Sequence, residues 1–202
     1  MIKIVDYGLG NVSAFRNVYK RLNIDVGTAC TADELRDATK IILPGVGAFD
    51  RAMQLLDRSS LRSPLEKLVI EQRVPLLGVC VGMQMLARSS DEGNARGLGW
   101  IDADVRAFAA LPGDLVVPHM GWNDVRPAGA SPLFKDLALP AQFYFLHSYY
   151  VVCHDAQDAA GVAHYGIDFA CAVSSGNVHG VQFHPEKSHH FGARLLKSFA
   201  TL

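Results

Sequence analysis

Residues 75–87 read Pro-Leu-Leu-Gly-Val-Cys-Val-Gly-Met-Gln-Met-Leu-Ala. Pro75 to Val79 is wholly apolar, the pattern of a strand buried on both faces of a parallel sheet. Gly82 to Ala87 follow with helical spacing. Between them stands Cys80, with a glycine two residues away on each side. Strand, sharp turn and helix with a nucleophilic side chain at the turn form the nucleophile-elbow arrangement, here with cysteine in place of serine. The glycines are needed because large side chains there collide with the neighbouring strand or helix. The same segment, met alone, also describes a buried core cysteine beside packing glycines.

Residues 1–90 repeat this alternation of strand and helix. Ile2 to Val5 predicts a strand. Apolar residues at 12, 15, 18, 19 and 22 predict a helix over Val12 to Leu22. Ile24 to Val26 reads as a short strand, and Thr31-Ala32-Asp33-Glu34 as a capping box opening a helix. Ile41 to Leu43 is an apolar run expected to stop at Pro44-Gly45. Ser63-Pro64-Leu65-Glu66 reads as a second capping box, with proline at the first helical position. Strands alternating with helices mean βαβ units and a parallel sheet.

Beyond residue 97 the texture changes. Trp100 to Phe108, Asp124 to Arg126 and Gln142 to Val152 read as strands. Phe169 to Ser174 and Val178 to Phe183 flank Ser175-Gly176-Asn177, a hairpin signal. A helix over His189 to Phe199 closes the chain, with His189-His190 opening it on the solvent side. The expectation is one domain over residues 1–202: α/β, with a mostly parallel central sheet, flanking helices and antiparallel additions in the C-terminal half.

Composition narrows the function classes. Half of the 202 residues are hydrophobic and 19% are charged, an ordinary globular balance. Nineteen Lys+Arg against twenty Asp+Glu give a net charge of −1, which removes the electrostatic case for a nucleic-acid binder or a polybasic membrane protein. No apolar run approaches the roughly 18 residues of a membrane span. The opening MIKIVDYGLG has no long apolar stretch, so no signal peptide is expected. The four cysteines, at 30, 80, 153 and 171, form no CxxC or CxxH spacing, so neither a zinc site nor a disulfide scaffold is expected. Free thiols fit a reducing cytosol. Cys30, Cys153 and Cys171 lack the elbow context and read as packing residues.

Two further segments bear chemistry. In Val181-Gln182-Phe183-His184-Pro185-Glu186, His184 closes an apolar strand and Glu186 follows two residues later. An extended backbone would point both side chains to one side, so Glu186 could orient His184 and His184 could serve a nucleophile from elsewhere. A satisfied surface or core histidine is the equal alternative. Pro44-Gly45-Val46-Gly47 follows a strand, where parallel-sheet proteins place their sites. Its backbone N–H groups suit an oxyanion hole, although alone the segment reads first as a plain turn. Gly8-Leu9-Gly10-Asn11-Val12-Ser13 lacks the third glycine of a dinucleotide fingerprint. Neither a phosphate loop nor an H-E-x-x-H pattern occurs.

Together these segments resemble the class I, triad-type glutamine amidotransferases. Within that family they resemble the branch formed by the glutaminase subunits of imidazole glycerol phosphate synthase, from histidine biosynthesis. The resemblance is carried by residues 5–11 (VDYGLGN), 43–49 (LPGVGAF), 78–84 (GVCVGMQ), 119–123 (HMGWN), 144–150 (YFLHSYY) and 181–188 (VQFHPEKS). The elbow and HPE motifs mark the wider family, and PGVGAF, HMGWN and HSYY narrow it. The chain departs after Ser188, where the family usually has a glycine and this sequence has His189-His190.

The resemblance implies a flavodoxin-like fold and a set of roles. Cys80 attacks the glutamine carboxamide. The Val81 N–H and one from Gly45-Val46-Gly47 hold the oxyanion. His184 protonates the departing ammonia and then activates water, with Glu186 orienting it. Gln84 and the backbone of His147-Ser148-Tyr149 bind L-glutamine. Ammonia passes to a (β/α)8-barrel cyclase subunit in a heterodimer, and Asn11, Trp122, Tyr144 and Lys187 match positions at that boundary. No cofactor or metal is implied, and the location is cytoplasmic. The rivals are another triad amidotransferase, serving pyridoxal phosphate or purine synthesis, a stand-alone cysteine hydrolase of the same fold, and a non-enzymatic binding module.

Overall fold

The computed structural model describes residues 1–111, 115–129 and 131–202. Its strands are β1 (Ile2–Val5), β2 (Val26–Ala29), β3 (Lys40–Gly45), β4 (Leu76–Cys80), β5 (Ser89–Ser90), β6 (Ala103–Ala107), β7 (His119–Pro127), β8 (Ala141–His147), β9 (Tyr149–Cys153), β10 (Ala159–Tyr165), β11 (Ile167–Ser175) and β12 (Val178–Val181). The α-helices are α1 (Val12–Arg21), α2 (Ala32–Leu35), α3 (Phe49–Arg58), α4 (Arg62–Glu66), α5 (Val81–Gln84) and α6 (His189–Ala200). The strand order is β2-β1-β3-β4-β12-β11-β10-β7-β8, with β9 joining β11 and β6, and β5 joining β6.

The first five strands of that order pair in parallel. This is the 2-1-3-4-5 order of flavodoxin-like sheets, with β12 in the fifth place although it is last in sequence. From β12 outward the pairing is antiparallel, so the expected additions are built on the edge of a parallel core. Nearly every residue of β3 and β4 is buried, as strands covered on both faces must be. Helix α1 packs on α6, and the buried Tyr19 hydroxyl donates to the Leu196 carbonyl at 3.2 Å.

Several expectations are corrected. The second strand begins at Val26 and runs to Ala29; Ile24 only leads into it. The strand opened by Ile41 does not stop at Pro44-Gly45 but runs through both, because Pro44 pairs with Val79 and Gly45 with Cys80. Ser63 is no cap: α4 starts at Arg62 with no side-chain hydrogen bond at its end, and Pro64 lies inside the first turn. The Thr31–Glu34 capping box is present in full. Helix α5 ends at Gln84 rather than Ala87, where the chain tightens into turns. Gln142 to Val152 is two strands, broken at Ser148. Cys171 and Cys153 are buried and half-buried, but Cys30 is exposed, because β2 lies at the sheet edge.

Candidate active site

Cys80 ends β4 at the centre of the sheet, with φ 56° and ψ −116°. A non-glycine residue at positive φ is strained, and here the strain aims the thiol out of the sheet. Three glycines permit it. A Cβ on Gly82 would run into the Leu43 carbonyl oxygen, one on Gly45 into the Gly82 nitrogen, and one on Gly78 to 2.6 Å from the Gly82 oxygen. The elbow therefore exists because β3, β4 and α5 meet backbone to backbone.

His184 follows β12, the neighbour of β4, and so reaches Cys80. It lines the same cavity as Cys80, and its Nδ1 donates to Glu186 Oε1 at 2.9 Å. The path differs from the extended one expected: β12 ends at Val181, and Pro185–Lys187 forms a 3-10 turn that folds Glu186 back onto the ring. Burial alone pulls the His184 pKa down, but the hydrogen bonds and charge of Cys80 and Glu186 outweigh it and hold the imidazole up at about 9. The His184 N–H donates to the Tyr144 carbonyl, while its carbonyl accepts from the buried Ser188 hydroxyl, which in turn accepts from the Tyr144 N–H. This clamp seats the base on β8.

A cavity of about 400 Å³ opens over the thiol. Val46, Gly47, Cys80, Val81, Gln84, Glu92, Pro118, Leu146, His147, Ser148, Tyr149, His184 and Lys187 line it. Of the residues expected at the site, Val46, Gly47, Val81, Gln84 and His147 to Tyr149 are thus brought together around Cys80. Gly45 is not among the lining residues; it is a buried strand residue that serves packing. Val46 and Gly47 are exposed, and Gly47 has φ +81° with open space where a Cβ would sit. Tyr7 braces this turn from behind: its buried hydroxyl donates to the Pro44 carbonyl at 2.9 Å.

Gln84 is 2% exposed and donates to Gln182 Oε1 at 3.0 Å, and Gln182 Nε2 reaches the Cys80 sulfur at 3.8 Å. Glu92 and Gln182 were not anticipated. Glu92 Oε2 accepts from the Phe49 N–H at 2.8 Å and places the only carboxylate among the lining residues; no local motif surrounds it, so only the fold reveals it. Gln182 sits inside a segment whose His184 drew the attention.

The expected boundary residues form another group. Asn11 caps α1, its side chain accepting from Ala14 N–H. Trp122 is exposed, lies edge-on to Tyr144 and stacks on His189, with ring centroids 5.2 Å apart. The Lys187 ammonium sits 5.7 Å over the Tyr144 ring. On β7 and β8 the pairs Met120–Leu146 and Trp122–Tyr144 face each other in register, and Met120, Trp122, Leu146 and nearby Val46 are exposed. The cavity therefore opens beside an apolar face. Among the described residues no group of three or more His, Cys, Asp or Glu is placed to hold a metal ion. Among the described residues no helix is long and apolar enough to cross a membrane.

Known proteins carry the same architecture. A crystal structure titled glutamine amidotransferase superposes with a TM-score of 0.76 at 20% identity, over 99% of this chain and 97% of that one. The PurLQS structure from Thermotoga maritima gives 0.73 at 19% identity, over 99% and 97%. By sequence the chain is 59% identical to imidazole glycerol phosphate synthase subunit HisH of Bdellovibrio bacteriovorus, over the full length of both. It is 50% identical to the HisH subunit of Leptospira borgpetersenii, again over both full lengths. Residues 4–201 match the family glutamine amidotransferase class-I. With an elbow cysteine, its histidine and glutamate, and full-length relatives in agreement, this chain belongs to the class-I glutamine amidotransferase family.

Proposed function

We propose that this chain is the glutaminase subunit of an imidazole glycerol phosphate synthase and works in histidine biosynthesis. The observation that carries the reading is that Cys80 and His184 line one amino-acid-sized cavity, with His184 hydrogen-bonded to Glu186 behind it. Relatives sharing up to 59% identity bear the HisH name, which supports the reaction context.

Glutamine enters with its side-chain amide toward Cys80. The thiolate attacks the carboxamide carbon, and the carbonyl electron pair moves onto oxygen. Backbone N–H groups of Val81 and of the Val46-Gly47 turn receive that oxyanion. Protonated His184 gives its proton to the amide nitrogen, the C–N bond breaks, and ammonia leaves a glutamyl thioester. The now neutral His184 takes a proton from water, whose oxygen attacks the thioester. Collapse releases glutamate and returns the thiol. The net change is glutamine plus water to glutamate plus ammonia, with no cofactor or metal used. Glu186 holds the imidazole in the tautomer that presents Nε2 to sulfur. Glu92 is placed for the substrate α-ammonium, and Gln84 with the Ser148–Tyr149 backbone for its carboxylate end.

Ammonia passes to a second subunit, a (β/α)8-barrel cyclase that makes imidazole glycerol phosphate and aminoimidazole carboxamide ribotide. Its docking face is the apolar patch of Met120, Trp122, Leu146 and Val46, flanked by Asn11, Tyr144 and Lys187. The complex is cytoplasmic. The test is glutamine hydrolysis by the chain alone, with the cyclase, and with the cyclase and its ligand. Stimulation in the last arm is expected. Full activity of the chain alone would turn the reading to a stand-alone hydrolase, and no activity in any arm would reject a glutaminase.

A further inference from the structure

His119 and His147 face each other directly across β7 and β8. They lie on the inner face of the ribbon whose outer face carries Met120, Trp122 and Leu146. Both are buried, at 3% and 6% exposure, and neither imidazole has a place in the chemistry above. His119 Nδ1 and His147 Nε2 are 2.9 Å apart.

The direction of every proton in this pair follows from its surroundings. His147 Nδ1 lies 2.7 Å from the Tyr149 carbonyl. A carbonyl only accepts, so Nδ1 carries the hydrogen. His147 Nε2, in a neutral ring, then accepts from His119 Nδ1–H. His119 Nε2 must in turn accept, and Asn123 Nδ2 stands 3.2 Å from it. The Asn123 amide cannot be turned over: its Nδ2 also donates to the His164 carbonyl at 2.9 Å, and its Oδ1 accepts from Asp124 N–H at 2.8 Å. The result is a one-way chain, Asn123 to His119 to His147 to the Tyr149 carbonyl, with each ring in one tautomer. Burial lowers the His119 pKa to about 4. It also lowers that of His147 to about 3, helped by the neighbouring His119 and His184 against the Tyr149 bond. The neutral rings that the chain requires are thus the ones present at neutral pH. His119 is further held between the rings of Phe145 and Tyr165, at 4.7 and 4.1 Å.

The far end of the chain is the wall of the cavity. Ser148 breaks the path from β8 to β9; its carbonyl accepts from the Phe108 N–H at 3.1 Å and Tyr149 pairs with Ala107 on β6, while on the cavity side the Tyr149 carbonyl is held by side chains. The Tyr149 carbonyl receives His147 and, at 3.5 Å, Gln84 Nε2. Gln84 continues to Gln182 and Gln182 to the Cys80 sulfur.

We infer that His119 and His147 are positioning residues for glutamine, their hydrogen-bond chain holding the Ser148–Tyr149 wall and Gln84 in the binding arrangement. The inference rests on the reading of this cavity as the glutamine site. It assigns the pair to substrate binding rather than to the chemical step, so its loss acts on KM.

The test combines two measurements on the full chain. The first is steady-state glutamine hydrolysis with the cyclase partner, alongside the rate at which iodoacetamide alkylates Cys80. His119→Phe keeps the aromatic stack and removes the donor. It is expected to raise the glutamine KM about 3- to 10-fold, the range of one lost neutral hydrogen bond, with kcat and the alkylation rate within about twofold. His119→Asn, whose amide N–H falls where Nδ1–H was, is expected to recover most of the KM. An unchanged KM in His119→Phe overturns the proposal, and so does a fall in kcat and alkylation with KM intact. The second measurement is 15N NMR of the histidine rings. His119 and His147 are each expected as the Nδ1–H tautomer from pH 7 down to 5, and any other tautomer overturns the chain whether or not glutamine is turned over. A wild-type chain that shows these tautomers but hydrolyses no glutamine would count against the glutaminase reading instead.

Discussion

Cys80 is held at φ 56° between two glycines, and its sulfur is within reach of His184. Replacing that sulfur by oxygen leaves the shape and removes a group that ionises readily. Cys80→Ser is expected to lose at least roughly 10³-fold of glutamine-dependent activity, while synthesis from added ammonia by the complex survives. Retained glutaminase activity in this variant would remove Cys80 from its role. His184→Ala is expected to be equally inactive. Glu186→Gln should be about 10- to 100-fold milder, since orientation of a base is worth less than the base, although such effects do not add. The raised His184 pKa also has a kinetic sign. A pKa near 9 means that the ring is protonated through neutral pH and able to protonate ammonia. The kcat/KM profile should hold on the alkaline side of neutrality and fall as pH passes about 9; a profile already falling at pH 7 would contradict the assignment.

At the scale of the element, β3, β4 and α5 are joined by glycine backbones in contact. The expected oxyanion segment divides there into a clamped and a free part. Gly45 is wedged against Gly82 and Val81, whereas Gly47 has open space around it and needs only its positive φ. Gly82→Ala is expected to cost several kcal/mol, at the upper end of single substitutions, because its Cβ meets the Leu43 carbonyl and neither backbone can retreat. Gly47→Ala should cost only about 1 kcal/mol. Its effect should fall on glutamine turnover, through the Val46–Gly47 peptide groups. Thermal melts of the two variants beside their kcat values check the contrast. Equal destabilisation would mean that the turn is packed as tightly as the elbow.

The whole molecule should show its best stability near neutral pH. His119, His147 and His179 are buried and their pKa values are lowered, to about 4, 3 and 4. The unfolded chain binds protons at these positions near pH 6.5 while the folded chain does not, so stability is lost as pH falls below that value. A tenfold difference in proton affinity between the two states corresponds to about 1.4 kcal/mol. His184 acts in the opposite sense: its raised pKa stabilises the fold below pH 6.5, and that contribution is lost as pH rises through about 9. Melting temperatures from pH 4 to 10 should therefore pass through a maximum, and a melt that is flat from 7 to 4 would count against neutral buried histidines. A second expectation at this scale concerns the partner. The cavity, the Val46–Gly47 turn and the apolar face of β7 and β8 adjoin one another, so a partner subunit docked on the proposed face would touch the elements that line the site. Glutamine hydrolysis should be nearly silent in the isolated chain and rise about 10²–10³-fold in the ligand-loaded complex, the cost of one misdirected oxyanion donor.

Local chemistry and period determined much of this protein. The strand–cysteine–helix segment at 75–87, the apolar run at 41–43 and the capping box at 31–34 name their own structures, because burial, hydrogen-bond capping and steric demand act within a few residues. The candidates Cys80, His184 and Glu186 were legible for the same reason: each stands in a short pattern that few other purposes require. What needed the tertiary structure is whatever depends on strands distant in sequence. β12 lies beside β4 only because the sheet closes in that order, and this alone carries His184 to Cys80. The 3-10 turn at 185–187, the place of Glu92 at the cavity and the packing duty of Gly45 are set by neighbours that no local window contains. The His119–His147 chain is the plainest case. Twenty-eight residues separate the two rings, and their tautomers are fixed by a carbonyl, an amide and a pairing register that exist only once β7 lies against β8.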